Sequence, residues 1–145
     1  MNILFVCTGN TCRSCMAEAI FNNIKKDEFH NAFSAGTNAV KGSLTSKHSA
    51  YLIKEKFNVD ISNRSAKQLD SKMLEAADVV LTMTDYMSEY IKRSFKEANN
   101  KVFPLKKFVS LNGEVADPYG GSVEDYKITF NDLMESIKLL LEKLN

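Results

Sequence analysis

Ile3-Leu4-Phe5-Val6-Cys7-Thr8-Gly9-Asn10-Thr11-Cys12-Arg13-Ser14 is the stretch on which the reading of this chain turns. Ile3 to Val6 is a continuous apolar run, the pattern of a strand buried on both faces, and it sets a strand over residues 2 to 7. Beyond the stretch, Met16, Ala17, Ile20, Phe21 and Ile24 recur at helical spacing. Ser14 is a residue type favoured at a helix N-cap, so a helix is expected from Ser14 to about Lys26-Asp27. Cys7 to Ser14 is therefore a strand-to-helix loop. Backbone N–H groups at a helix N-terminus lack intrahelical partners and carry partial positive charge, so loops of this kind hold anions.

The side chains in the loop make it chemical as well as structural. Gly9 permits a positive φ and Asn10 tolerates one, which lets the residues between Cys7 and Arg13 wrap a tetrahedral anion with converging N–H groups. Arg13 offers a guanidinium fork to two phosphate oxygens. A thiolate at Cys7 then lies under the bound phosphorus atom, the position of a nucleophile for phosphoryl transfer. A cysteine and an arginine at this spacing also arise by chance; the strand before and the helix after are what distinguish this pair.

Downstream, Ala32-Phe33-Ser34-Ala35-Gly36 reads as a second strand, and Tyr51, Leu52 and Ile53 mark a helix ending near Phe57. Residues 58 to 66 read as irregular, and a short helix is expected at Ser71 to Glu75. Asp78 to Thr82 is a third strand, followed by a helical face at Met87, Tyr90, Ile91 and Phe95. Val102-Phe103 is a fourth, stopped by Pro104, with a helical turn at Lys106 to Phe108. From Val123 to Leu144 apolar residues keep a 3.6-residue period, the clearest helix of the chain. Strands alternating with helices imply right-handed crossovers, hence an α/β fold: a three-layer, open, twisted parallel four-stranded sheet with helices on both faces. Ligands in such sheets sit beyond the C-terminal strand ends, where the Cys7 loop leaves the first strand.

With 145 residues and no linker, repeat or low-complexity segment, residues 1–145 are expected to form a single domain. Nineteen basic and eighteen acidic residues give a net charge of +1, which supplies no field for nucleic acid or an anionic membrane, so neither is expected as a partner. No apolar run approaches a membrane span and the N-terminus lacks a signal-peptide pattern, so the expected location is cytoplasmic. The three cysteines, Cys7, Cys12 and Cys15, fall within nine residues of one another and cannot form the framework of a disulfide scaffold. Cys12-Arg13-Ser14-Cys15 has C-x-x-C spacing, but no second pair or neighbouring histidine completes a metal site, so no metal or other cofactor is expected.

Two segments carry a family resemblance. Cys7-Thr8-Gly9-Asn10-Thr11-Cys12-Arg13-Ser14 resembles the signature loop of the low-molecular-weight protein tyrosine phosphatases, and Asp117-Pro118-Tyr119-Gly120 resembles that family's second motif. The resemblance spans essentially the whole chain and implies the flavodoxin-like fold of that family. It implies a phosphocysteine mechanism: Cys7 attacks, Arg13 and the loop from Thr8 to Ser14 hold the phosphoryl group, and Asp117 protonates the leaving group and then activates water. By the same resemblance Tyr119 lines the entrance, Ser14 hydrogen-bonds the Cys7 thiolate, Asn10 holds the loop with Ser34 as a partner, and Cys12 is a redox candidate that can pair with the nucleophile. Phosphorylated proteins are the implied partners, and a monomer is expected.

The chain departs from the tyrosine-phosphatase pattern at three places. Thr11 stands where isoleucine is usual, which resembles the bacterial protein arginine phosphatases; a smaller, more polar pocket wall suits a guanidinium better than a phenyl ring. Gly120-Gly121 follows Tyr119 where many tyrosine-specific members carry another aromatic. Cys15 replaces a usual proline at the start of the helix. The implied activity is therefore removal of phosphate from protein phosphoarginine, with phosphotyrosine as the alternative. An arsenate reductase would need further cysteines near the third strand, and residues 82 to 89 contain none. A phosphocarrier would preserve its phosphocysteine, which Arg13 and Asp117 argue against.

Overall fold

A computed structural model describes all 145 residues. Its elements are β1 (Asn2–Cys7), α1 (Arg13–Ile24), β2 (Asn31–Gly36), α2 (Lys47–Phe57), α3 (Ser71–Ala76), β3 (Val79–Thr82), α4 (Asp85–Ser94), a 3-10 helix (Lys96–Lys101), β4 (Val102–Pro104), α5 (Leu105–Phe108) and α6 (Val123–Leu144). The four strands form one parallel sheet, as expected, and their order is β2-β1-β3-β4. The chain runs from β1 to β2 on one side and to β3 on the other, so the strand order reverses at the C-terminal end of β1, where the Cys7 loop begins.

Period-two alternation in β1 explains why Ile3 to Cys7 are all apolar. Ile3, Phe5 and Cys7 face the larger core with α1, α2 and α6, while Leu4 and Val6 face a smaller core with α3 and α4. Helix α6 contributes Tyr126, Phe130, Leu133, Ile137 and Leu140 at helical spacing to the larger core. It starts with a capping box in which the Ser122 side chain accepts from Asp125 N and the Asp125 side chain accepts from Ser122 N. No helix is long and apolar enough to cross a membrane.

Two expectations about local structure need correction, and one element lies outside them. Helix α1 begins at Arg13 with Cys12 at its N-cap and no side-chain cap, so Ser14 is not the cap. It ends at Ile24, because Lys25 turns to extended backbone with ψ 149°. The 3-10 helix at Lys96–Lys101 was not anticipated, since its polar sequence has no apolar period to read.

Candidate active site

The loop from Thr8 to Cys12 is shaped by its neighbours as much as by its own residues. Asn10 is fully buried and takes the left-handed conformation at φ 58°. Gly9 is not among the residues with positive φ, so the turn rests on Asn10 alone. What holds Asn10 there is its hydrogen bonding. Its Nδ2 donates to Ser14 Oγ (2.7 Å) and to Ser34 Oγ (3.0 Å), and its Oδ1 accepts from the backbone N–H of Lys67 (2.9 Å). A short polar side chain that bonds locally is what makes the left-handed region tolerable for a residue other than glycine.

Gly36, at the end of β2, is a second requirement. A Cβ there would lie 2.5 Å from the Thr8 carbonyl oxygen and 3.1 Å from Asn10 N, so any larger residue would push the loop off its strand. The glycine lets Asn38 N donate to Thr8 O (2.9 Å) and Thr37 N to Cys7 O (2.9 Å), which ties the loop to the segment after β2.

The Cys7 sulfur sits at the base of this loop. Asn10 N donates to Cys7 Sγ at 3.3 Å, and Ser14 Oγ lies 2.8 Å from it. Because Ser14 Oγ already accepts from Asn10, its hydroxyl proton is available to the sulfur. That contact explains why Ser14 is not an N-cap: the hydroxyl points into the loop instead of back over its own backbone. Two donors aimed at one sulfur stabilise negative charge there.

Arg13 is buried, and its Nη1 donates to the carbonyl of Val115 at 3.0 Å. Its Nη2 lies 3.7 Å from Asp117 Oδ2, a carboxylate that is 54% exposed. Of the guanidinium fork, the edge bearing Nε and Nη2 remains for an anion. Asp117 Oδ1 accepts from Tyr119 N at 3.1 Å, an Asx turn that fixes the carboxylate over the loop. Cys7, Thr8, Gly9, Thr11, Cys12, Arg13, Asp117 and Tyr119 line one cavity of about 320 Å³, together with Val40 and Ser43. The sequence singled out eight of these ten residues.

Val40 and Ser43 were missed, as was the support beneath the loop. Arg64 Nη2 donates to Ser34 Oγ (2.6 Å) and pairs with Glu18 Oε1 (3.3 Å), and its Nη1 donates to the carbonyl of Asn10 (3.3 Å). Ser34 in turn donates to Glu18 (2.6 Å). Arg64 stands in the irregular segment and Glu18 on α1, and nothing local in the sequence connects them.

Cys12 and Cys15 differ in setting. Cys12 Sγ lies 3.3 Å from the hydroxyl of Tyr126 on α6. Burial, reinforced by the bond to Cys12, pushes the Tyr126 phenol up to about 12. Cys15 is buried in the first turn of α1, and its thiol donates to the Cys12 carbonyl at 3.2 Å. Burial, and next the negative charge of a Cys7 thiolate, push the Cys15 thiol far above its ordinary range. All three cysteines are free thiols, and no group of three or more His, Cys, Asp or Glu side chains is arranged to hold a metal ion.

Comparison with known proteins bears on this geometry. The family model described as low molecular weight phosphotyrosine protein phosphatase matches residues 2–145. A protein-arginine-phosphatase of Geobacillus stearothermophilus is 43% identical over 143 residues, which cover 98% of this chain and 95% of that protein. The low molecular weight protein-tyrosine-phosphatase PtpB of Staphylococcus haemolyticus is 37% identical over 92% of this chain and 93% of its own length. The solved structure of the YwlE arginine phosphatase, as a cysteine-to-serine mutant with a phosphorylated active-site serine, aligns with a TM-score of 0.93 at 39% identity, covering 99% of this chain and 95% of that one.

Proposed function

We propose a mechanism for this chain, which belongs to the low molecular weight phosphotyrosine protein phosphatase family and is a phosphatase, in which Cys7 carries the phosphoryl group and protein phosphoarginine is the substrate. The observation that carries the mechanism is the convergence of Cys7, Arg13 and Asp117 on one cavity. A phosphoryl group entering it displaces Asp117 as the partner of Arg13 Nη2. Its equatorial oxygens are held by Arg13 and by the N–H groups of the loop, which act where charge is spread in the transition state. The Cys7 thiolate attacks phosphorus, the bond from phosphorus to the guanidino nitrogen breaks, and the Asp117 carboxyl gives its proton to that nitrogen. In the second step the Asp117 carboxylate takes a proton from water, the water oxygen attacks phosphorus, and the sulfur–phosphorus bond breaks to release phosphate and restore the thiolate. Ser14 and Asn10 N stabilise the sulfur as a leaving group through the bonds described above.

Thr11 supports phosphoarginine over phosphotyrosine. Its side chain lines the cavity, and a hydroxyl there leaves a smaller and more polar wall for a guanidinium, while the Asp117 carboxylate faces the same space. The phosphorylated active-site serine of the YwlE relative supports covalent transfer to the residue at the Cys7 position. Substrates are phosphorylated cytoplasmic proteins on this reading.

The test compares turnover of phosphoarginine and phosphotyrosine peptides by the wild type. Cys7→Ser should abolish turnover and retain binding of inorganic phosphate, and Asp117→Asn should slow most the substrates with the poorest leaving groups. Substantial turnover by Cys7→Ser would falsify the nucleophile assignment, and an unchanged leaving-group dependence would remove Asp117 as the acid.

A further inference from the structure

Beside the catalytic cavity lies a second groove of about 400 Å³ that shares Asp117 and Tyr119 with it and continues over Gly121, Asp125, Ile128 and Thr129. Local sequence keeps it open. Gly120 sits at φ 80°, and a Cβ built on it would meet no atom within 4 Å. On Gly121 a Cβ would fall 2.5 Å from Asp125 Oδ2 and 2.9 Å from the Pro118 carbonyl oxygen, so only glycine lets the turn lie this close to α6. The residues after Tyr119 thus leave a trough without side chains between the turn and the first turns of the helix.

Two properties decide what fits it. Its edges are apolar and bare, since Ile128 is 66% exposed and Tyr119 is 79% exposed. Its charge is of one sign: Asp117 and Asp125 line it, and no lysine, arginine or histidine does. Asp125 Oδ2 accepts from Ser122 N (3.0 Å) and Ser122 Oγ (3.3 Å), while Oδ1 takes no bond within the protein. An aliphatic stem that packs on Ile128 and the Tyr119 ring and ends in a cation beside Asp125 satisfies both properties, which is the chemistry of an arginine or lysine side chain.

We propose that this groove binds an arginine or lysine of the substrate protein that lies within a few residues of the phosphorylated one. The proposal rests on the phosphatase reading of the adjoining cavity. Because the two share Asp117 and Tyr119, a chain whose phosphorylated residue enters the cavity continues over Tyr119 into the groove. Asp125 and Ile128, the residues that hold the cation, line the groove and not the cavity of Cys7, so the groove acts on affinity for protein substrates and not on the chemistry of the phosphoryl group. A charge pair at a solvent-exposed rim contributes modestly and is screened by salt.

The test uses phosphopeptides that differ at one flanking position, where lysine, leucine or glutamate is placed in turn within about three residues of the phosphorylated one. Their affinity for Cys7→Ala protein, which offers no side-chain atom to take the phosphoryl group, is read by fluorescence anisotropy, and their turnover by wild-type protein is measured in parallel. Lysine is expected to bind about three-fold more tightly than glutamate at one or two positions on one side of the phosphorylated residue, and less so at high salt. Ile128→Lys and Asp125→Asn, the latter keeping an acceptor for the cap of α6, should each erase that preference, while Ile128→Lys hydrolyses a small aryl phosphate at the wild-type rate. Equal affinity for lysine and glutamate peptides at every position overturns the proposal, as does a preference that survives in both variants. Absent turnover in the wild type would overturn the phosphatase reading instead, because the flanking preference is measured by binding alone.

Discussion

Asn10→Ala removes the one side chain that joins the strand end, the helix start and the segment around Lys67. Three hydrogen bonds are lost, at 2.7, 3.0 and 2.9 Å, all from a fully buried side chain. Ser14 keeps Cys7 as a partner and Ser34 keeps Glu18 and Arg64, so each loses a bond without becoming isolated. Lys67 N has Asn10 Oδ1 as its acceptor and is left with an unpaired N–H. At about 1 kcal/mol net for each bond, with more where a partner is stranded, the loss is roughly 3 kcal/mol. Alanine at a φ near 58° adds about 1 kcal/mol of backbone strain, giving a destabilisation of about 4 kcal/mol. For a domain of this size the thermal midpoint should fall by about 10 °C or more. Urea unfolding with an unchanged slope is the assay, with Asn10→Gly as the control. Glycine loses the same bonds but not the strain, so it should retain about 1 kcal/mol relative to alanine. Both variants should bind inorganic phosphate more weakly, because the loop amides no longer converge. A destabilisation below about 1 kcal/mol for Asn10→Ala would show that the hydrogen bonds do not hold the loop.

Thr11→Ile should move preference from phosphoarginine peptides toward phosphotyrosine peptides; identical rate ratios in both proteins would refute the role of pocket polarity. Tyr126→Phe addresses alkaline stability. The phenol is raised from 10.0 to about 12, so the wild type should hold its full benefit below pH 10 and lose it as pH climbs through about 12, whereas the phenylalanine variant lacks that slope. Urea melts at about pH 9 and about pH 11 compare the two, and parallel declines would count against the Tyr126 contact. Cys15, buried and kept protonated, should react with iodoacetamide at mildly alkaline pH only as fast as the protein opens; labelling in the native state as fast as Cys7 would contradict its placement.

The sheet, its order of elements and the loop at Cys7 were legible because each is written in a local period or a contiguous motif. Helix α6 is the clearest case, with apolar residues repeating over its whole length. The start of α1 was misplaced by one residue because Ser14, a good cap by type, is drawn to the Cys7 sulfur, a contact that outweighs its local preference. Gly9 looked like the flexible point of the loop, yet the positive φ falls on Asn10, whose partners on β2 and near Lys67 are distant in sequence. Arg64 and Glu18 were unreadable for the same reason, since a salt bridge across 46 positions leaves no periodic trace. Gly36 carried a signal that was overlooked: a glycine closing an apolar strand beside a loop often marks a close backbone approach.

The segment that bears Asp117 is moored on either side. Before it, Val115 N donates to Met83 O and Val115 O accepts from Arg13; after it, Tyr126 meets Cys12 from the second turn of α6. Both moorings reach the neighbourhood of Cys7 itself. If Asp117 is the acid, the backbone that carries the proton donor is tied to the surroundings of the nucleophile, and an arriving phosphoryl group has only to displace the Asp117 carboxylate from Arg13. Such an enzyme has no lid stroke to wait for in each cycle, and its selectivity must come from the walls of the cavity and the ground around its mouth, not from a closure that only the right substrate can trigger.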